Sequence, residues 1–251
     1  MNSRVMLAGL CAAALLGIAS TEKAHAISFT GSDVGSWHNL QGAAGATYTI
    51  TNNDAAPGAN SVASFNFGTA AAGSTSNLFT FNGTGSGTGN GFTTTTGTPF
   101  DLGTFTYRNG TTTTNSFPIT GASIDLSILL NLTSPAGIPA STFSYDFSIN
   151  LTPNDTGNPV KDGDIVSITK GTTSTTFTTG GSTYTLALSG FSSDGGHTFI
   201  NQFNAPENST AHTDIYATIT TSLVRVPEPA SLALLGCGLI GLGLVQRRKA
   251  A

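Results

Sequence analysis

The amino-acid sequence predicts an all-β chain: an antiparallel, jelly-roll-like β-sandwich of about eleven strands, flanked by an N-terminal signal helix and a C-terminal transmembrane helix. Three observations carry that expectation. Apolar side chains between residues 27 and 226 recur at every second position, the period of a half-buried strand. Turn-forming residues interrupt this region at short intervals, and no part of it keeps a helical period. Apolar runs at the two ends stand outside the pattern.

The N-terminal end comes first. Arg4 is followed by an apolar run over residues 5–19 and then by Ala24-His25-Ala26. These are the parts of a secretory signal peptide, with Ala24 and Ala26 as the small residues of its cleavage site. A signal peptide over 1–26, an exported domain over 27–225 and a C-terminal sorting segment over 226–249 make up the expected organisation.

Within the exported domain the clearest strands lie over 122–132 and 143–151. Ile124, Leu126, Ile128, Leu130 and Leu132 alternate with mostly polar residues, and Phe143, Tyr145, Phe147, Ile149 and Leu151 do the same. Pro135, Gly137 and Pro139 make the link between them a loop. Weaker alternation marks 47–51, 62–67, 78–81, 100–107, 164–170, 172–178, 184–191, 197–203 and 214–224. Asn109-Gly110 and Gly180-Gly181 accept the positive φ of tight turns, so a hairpin is expected at each. The glycine-rich stretch 83–97 reads as one long exposed loop.

Composition narrows the function classes. Residues 27–226 carry eleven acidic side chains against four basic ones, a net of minus seven. A phosphate-binding footprint is absent, which argues against a nucleic-acid partner. Both cysteines, Cys11 and Cys237, fall in the apolar ends, so packing and sheet hydrogen bonds have to hold the domain together without disulfides.

Catalytic signatures are sparse. No G-x-S-x-G elbow, H-E-x-x-H pair or paired cysteines occur, and His38, His197 and His212 are scattered, with only His212 and Asp214 spaced to share a strand face. Glu207 sits in a turn composition. Asp155, Asn158, Asp162 and Asp164 could offer oxygens to calcium, although EF-hand spacing and its closing Glu are missing and Asp-Gly ahead of a strand is ordinarily a turn. No other cofactor is suggested. Trp37 and the tyrosines read as core residues rather than a sugar platform. The expectation is a non-enzymatic protein, with a carbohydrate-binding or hydrolytic surface protein as the competing class.

The C-terminal end has three parts. Val226-Pro227-Glu228-Pro229 leads into an apolar run over 230–245, which ends on the basic stop Arg247-Arg248-Lys249. The run has about 16 residues and would span roughly 24 Å as a helix, a short match to a hydrocarbon core of about 30 Å. The basic end would stay cytoplasmic and leave the domain outside. Two prolines around Glu228 hold the peptide extended, the form a protease cleft accepts. The glycines 236, 238 and 241 imitate a dinucleotide fingerprint, but no strand precedes them.

This tail resembles the PEP-CTERM sorting signal of exported proteins in Gram-negative bacteria, many of which make extracellular polysaccharide. The resemblance covers 226–249. It implies recognition at Val226, Pro227, Glu228 and Pro229 by an exosortase, a membrane-embedded cysteine protease-transpeptidase, and delivery to the cell envelope, the surface or a biofilm matrix. The region 29–223 resembles the K type of the choice-of-anchor domains. Trp37, Phe65-Asn66-Phe67-Gly68, Leu78-Phe79-Thr80-Phe81 and the run from Phe100 through Thr104-Phe105-Thr106-Tyr107 to Gly110 carry that likeness. It implies a β-rich exported domain and brings no catalytic residues.

Overall fold

The computed structural model describes residues 26–52, 62–85, 91–172, 174–222 and 236–238. Two units make up the chain, one of them Ala26–Ser222 and the other Met1–His25 with Leu223–Ala251. In the second unit only residues 236–238 are described, and they are helical. The expected signal helix and nearly all of the expected transmembrane helix over 230–245 therefore lie outside the described residues. Among the described residues no helix is long and apolar enough to cross a membrane.

The first unit is all-β. Its strands are β1 (Ser28–Gln41), β2 (Tyr48–Thr51), β3 (Val62–Phe67), β4 (Asn77–Gly83), β5 (Phe92–Thr95), β6 (Pro99–Asn109) and β7 (Ala122–Ser134). They continue as β8 (Ser141–Asn150), β9 (Asp164–Thr172), β10 (Ser174–Thr179), β11 (Ser182–Ser192), β12 (Gln202–Ala205) and β13 (Ser209–Ser222). A six-stranded sheet has the order β12-β9-β8-β7-β1-β5, and a seven-stranded sheet has β10-β11-β13-β6-β4-β3-β2. Every pairing is antiparallel. Each sheet contains a three-stranded meander, β7-β8-β9 in one and β2-β3-β4 in the other. That wiring corrects the jelly-roll-like order expected from the sequence, in which long connections interleave two Greek keys.

Alternation explains why these segments become strands. On β7 the even positions from Ala122 to Leu132 are buried while Ser123, Asp125 and Ser127 face outward, and β8 repeats this with Phe143, Tyr145, Phe147 and Ile149. The opposite sheet contributes Phe65, Phe67, Phe79, Phe81, Phe105 and Tyr107, all fully buried. The two faces meet through aromatic rings. Phe105 stacks on Phe147 at 5.1 Å, and Trp37 contacts Phe79, Phe105 and Phe147 at 5.8, 6.0 and 5.5 Å. Such pairs add about 0.5–1.5 kcal/mol each beyond their burial.

Two strands arise where none was expected. β1 escapes an alternation test because its inward positions include Gly31, Asp33 and Gly35 between Phe29 and Trp37. Gly35 is required: a Cβ there would overlap the Phe81 ring of the opposite sheet. Inside the expected 83–97 loop, Gly83 closes β4, and β5 turns Phe92 and Thr94 inward, with Phe92 stacked on Phe100 at 4.4 Å.

The turns divide similarly. Gly180 and Gly181, at φ 57° and 76°, join β10 to β11 as the expected hairpin. At Asn109-Gly110 there is no hairpin, because β6 pairs with β4 and β13. Gly110 is held there by Asn77, whose Oδ1 accepts its N–H at 2.8 Å. The strand expected over 197–203 is reduced to β12, since a turn closed by Asp194 occupies the preceding residues. The Asp194 carboxylate accepts from Thr198 Oγ1, Thr198 N and His197 N at 2.5, 3.0 and 3.1 Å. These bonds, the Thr198 hydroxyl first, hold its pKa well below the usual carboxylate range.

Gly35→Ala is expected to destabilise the domain by about 1–3 kcal/mol, the cost of forcing a carbon into a filled core. A urea titration would show the midpoint fall. An unchanged midpoint would contradict the close approach of β1 to Phe81.

Candidate functional site

The segment singled out for calcium lies in and beside the β8–β9 connection. Its oxygens are spent on the chain itself. Asp162 Oδ1 accepts from Thr156 Oγ1 at 2.6 Å and Thr156 N at 3.1 Å, and Asn158 Oδ1 accepts from the N–H groups of Val160 and Lys161. The Thr156 hydroxyl keeps the Asp162 carboxyl below its ordinary range. Asp155 is exposed.

Asp164 opens β9 and turns inward. Its Oδ1 accepts from Thr152 N at 2.7 Å, and its Oδ2 accepts from the Tyr107 hydroxyl of the opposite sheet at 2.5 Å. Burial pushes Asp164 up to about 6, against the pull of that phenol bond. Burial, with Asp164 adjacent, raises Tyr107 above its ordinary value. Among the described residues no three His, Cys, Asp or Glu side chains are grouped to hold a metal ion. Of the four residues named for calcium, Asn158 and Asp162 lace the connection and Asp164 caps β9, while Asp155 is exposed. Glu207 is likewise structural: its Oε1 accepts from Thr111 Oγ1 at 2.5 Å and Asn154 Nδ2 at 2.9 Å.

A second buried acid had no sequence signal. Asp33 of β1 is fully buried, its Oδ2 accepting from Thr84 Oγ1 at 2.5 Å. Its Oδ1 lies where a Cβ on Gly83 would come within 2.6 Å, and has no hydrogen-bond partner among the described residues. Burial pushes this carboxyl up to about 8, opposed by the Thr84 hydroxyl bond and reinforced by Asp101. Hydrophobic alternation fails on such a residue because an acid at an inward position reads as outward.

The histidines divide by face. His212 and Asp214 share the outer face of β13 as their spacing required, and Thr104 Oγ1 donates to Asp214 at 2.8 Å. His197 and His212 are exposed, and among the described residues no metal grouping includes them. His38 differs, since its ring touches both Asp125 and Ser127 of the neighbouring strand. A groove of about 650 Å³ runs between β9 and β11, lined by Ile168, Leu188, Phe199 and Ile200 with Asn201 and Gln202. Its lining contains no carboxylate, so the paired acids of glycoside hydrolysis are not assembled there.

The sorting and cleavage residues Ala24, Val226, Pro227, Glu228, Pro229, Arg247, Arg248 and Lys249 lie outside the described residues, and Ala26 opens the described chain ahead of β1. Residues 225–249 match the PEP-CTERM protein-sorting motif. That motif is a recognition signal for exosortase, a membrane protein, and marks an exported protein with a C-terminal sorting signal. No curated protein matches the chain.

The raised carboxyls of Asp33 and Asp164 fix a sign for pH dependence. Each stays protonated in the folded chain above the pH at which the unfolded chain releases its proton, about 4. Their stabilising contribution is complete below that pH and is lost as pH rises through about 6 for Asp164 and about 8 for Asp33. Asp33→Asn should leave stability at pH 4 close to the parent and remove most of the decline toward pH 8, where it gains roughly a few kcal/mol. Chemical denaturation across this range would show the two curves diverging; parallel curves would overturn the assignment.

Proposed function

We propose that this chain is an exported cell-envelope or extracellular-matrix protein, held at the membrane by its C-terminal segment, processed by an exosortase, and structural or adhesive in an exopolysaccharide or biofilm setting. The sorting motif at residues 225–249 carries the reading. Behind Pro227-Glu228-Pro229, the apolar run 230–245 acts as the anchor that presents the extended peptide, and Arg247, Arg248 and Lys249 set its orientation. The signal peptide over 1–26 supplies the route out.

The domain suits an exposed role. Its stability comes from a ring-filled interior with no cysteine in residues 27–226, so it does not depend on the redox state of its surroundings. Outward strand positions carry mostly Ser, Thr, Asn and Asp, which keep a surface wet with few charges. The likeness to the choice-of-anchor K type accords with this, as those domains accompany the same sorting tails.

Intact mass of the protein from its own host gives the test. The expected product begins near Ile27 and lacks the segment beyond the Pro-Glu-Pro region, and deleting residues 226–229 leaves that segment attached. Recovery of an uncut C-terminus in the presence of the exosortase would refute the processing step.

A further inference from the structure

We propose that Ser127, His38 and Asp125 form a nucleophilic serine centre on the outer face of the six-stranded sheet, directed at carboxylic esters with a small acyl group. The inference does not rest on export or anchoring. It comes from the register of β1 against β7, which sets His38 opposite Asp125 and Ser36 opposite Ser127. Asp125 and Ser127 are two residues apart on one strand and so point to the same side. The His38 imidazole lies against both.

The contacts fall in the order that acyl transfer needs. His38 Nε2 is hydrogen-bonded to Ser127 Oγ, and His38 Nδ1 lies 3.7 Å from Asp125 Oδ2. With its proton on Nδ1, facing the carboxylate, the ring leaves Nε2 free to accept the Ser127 proton. Asn39 steadies the acid: its Nδ2 donates to the same Asp125 oxygen at 2.9 Å. Asn39 reaches back because it is left-handed, φ 54°, where the β1–β7 register shifts between His38 and Gln41. Such a constellation is recognised by geometry and roles rather than by sequence order, so the missing G-x-S-x-G elbow is no obstacle.

Neighbouring pairs complete the site. Ser36 and Ser144 lie directly opposite Ser127 on the two flanking strands, within reach as hydroxyl donors to an oxyanion formed over Ser127. The next pair along that face is Val34, which is buried, with Leu129, which is 39% exposed. Leu129 is thus the apolar surface offered to a small acyl chain. The face is open, with His38 37% exposed at its side chain, so an ester carried on a large molecule can approach.

The chemistry balances without a cofactor. Ser127 Oγ attacks the ester carbonyl carbon while its proton passes to His38 Nε2, and Asp125 stabilises the imidazolium. The carbonyl C–O bond to the alcohol breaks, and the alcohol leaves with the proton from His38. Water then attacks the acyl-serine through His38, releasing the carboxylic acid and restoring the Ser127 hydroxyl. Ester and water become acid and alcohol, with no change of oxidation state.

A fluorophosphonate probe and p-nitrophenyl acetate test this on the full chain. Folding is followed by emission of the single tryptophan, Trp37, which is buried. Peptide mapping should place the phosphonyl adduct on Ser127, with matching ester turnover. Ser127→Ala should abolish both, and His38→Gln should slow labelling by about a hundredfold or more, the share a general base supplies. Ser148→Ala, elsewhere on the same face, should label like the parent. Folded protein that takes no label at Ser127, labels equally on several serines, or labels at parental rate as His38→Gln would overturn the proposal.

Discussion

The contact on which the rest of this structure depends is the meeting of aromatic rings between the two sheets, centred on Phe105. From the six-stranded sheet it receives Trp37, Phe147 and Phe203, and within its own sheet it meets Phe79 and Phe191. Without disulfides in residues 27–226, burial of these rings has to offset the entropy of ordering a long chain with many non-local pairings. Rings suit the task because each removes a large apolar area from water while fixing few torsions. The close approach also dictates where side chains cannot be, hence the glycine at 35 against the Phe81 ring.

Polar groups are sorted by the same interface. Asp33 and Asp164 point inward, and the cost of burying them appears as carboxyls pushed up to about 8 and about 6. Asp164 ties the start of β9 to Tyr107 across the sandwich. On the outer faces the ladder places hydroxyls, amides and carboxylates from neighbouring strands side by side. That regular spacing brings residues 38, 125 and 127 together although they are far apart in sequence.

The legible parts of the fold are those decided within one strand. β7 and β8 show themselves because each inward residue is apolar and each neighbour polar, whatever lies opposite. β1 does not, because Gly35 makes sense only against Phe81 and Asp33 only against Thr84 and Gly83. β5 has four residues, and only Phe92 among them is strongly apolar. Asn109-Gly110 carries the chemistry of a hairpin but closes against Asn77 of another strand. Site residues follow the same rule. The sorting motif is linear and needs no tertiary partner to be read. The acids near residue 160 give no sign in sequence of the hydroxyls they meet in the fold, Thr156 for Asp162 and Tyr107 for Asp164. His38 looks isolated until β1 pairs with β7.

The central claim is that both sheets share one core and open together, and amide hydrogen exchange on the folded chain measures this directly. The account predicts that the most protected amides of β7 and of β6, one from each sheet, exchange only through global unfolding and report the same free energy. If one of these strands exchanged through a separate, lower-energy opening while the other stayed protected, the single-core account would be contradicted.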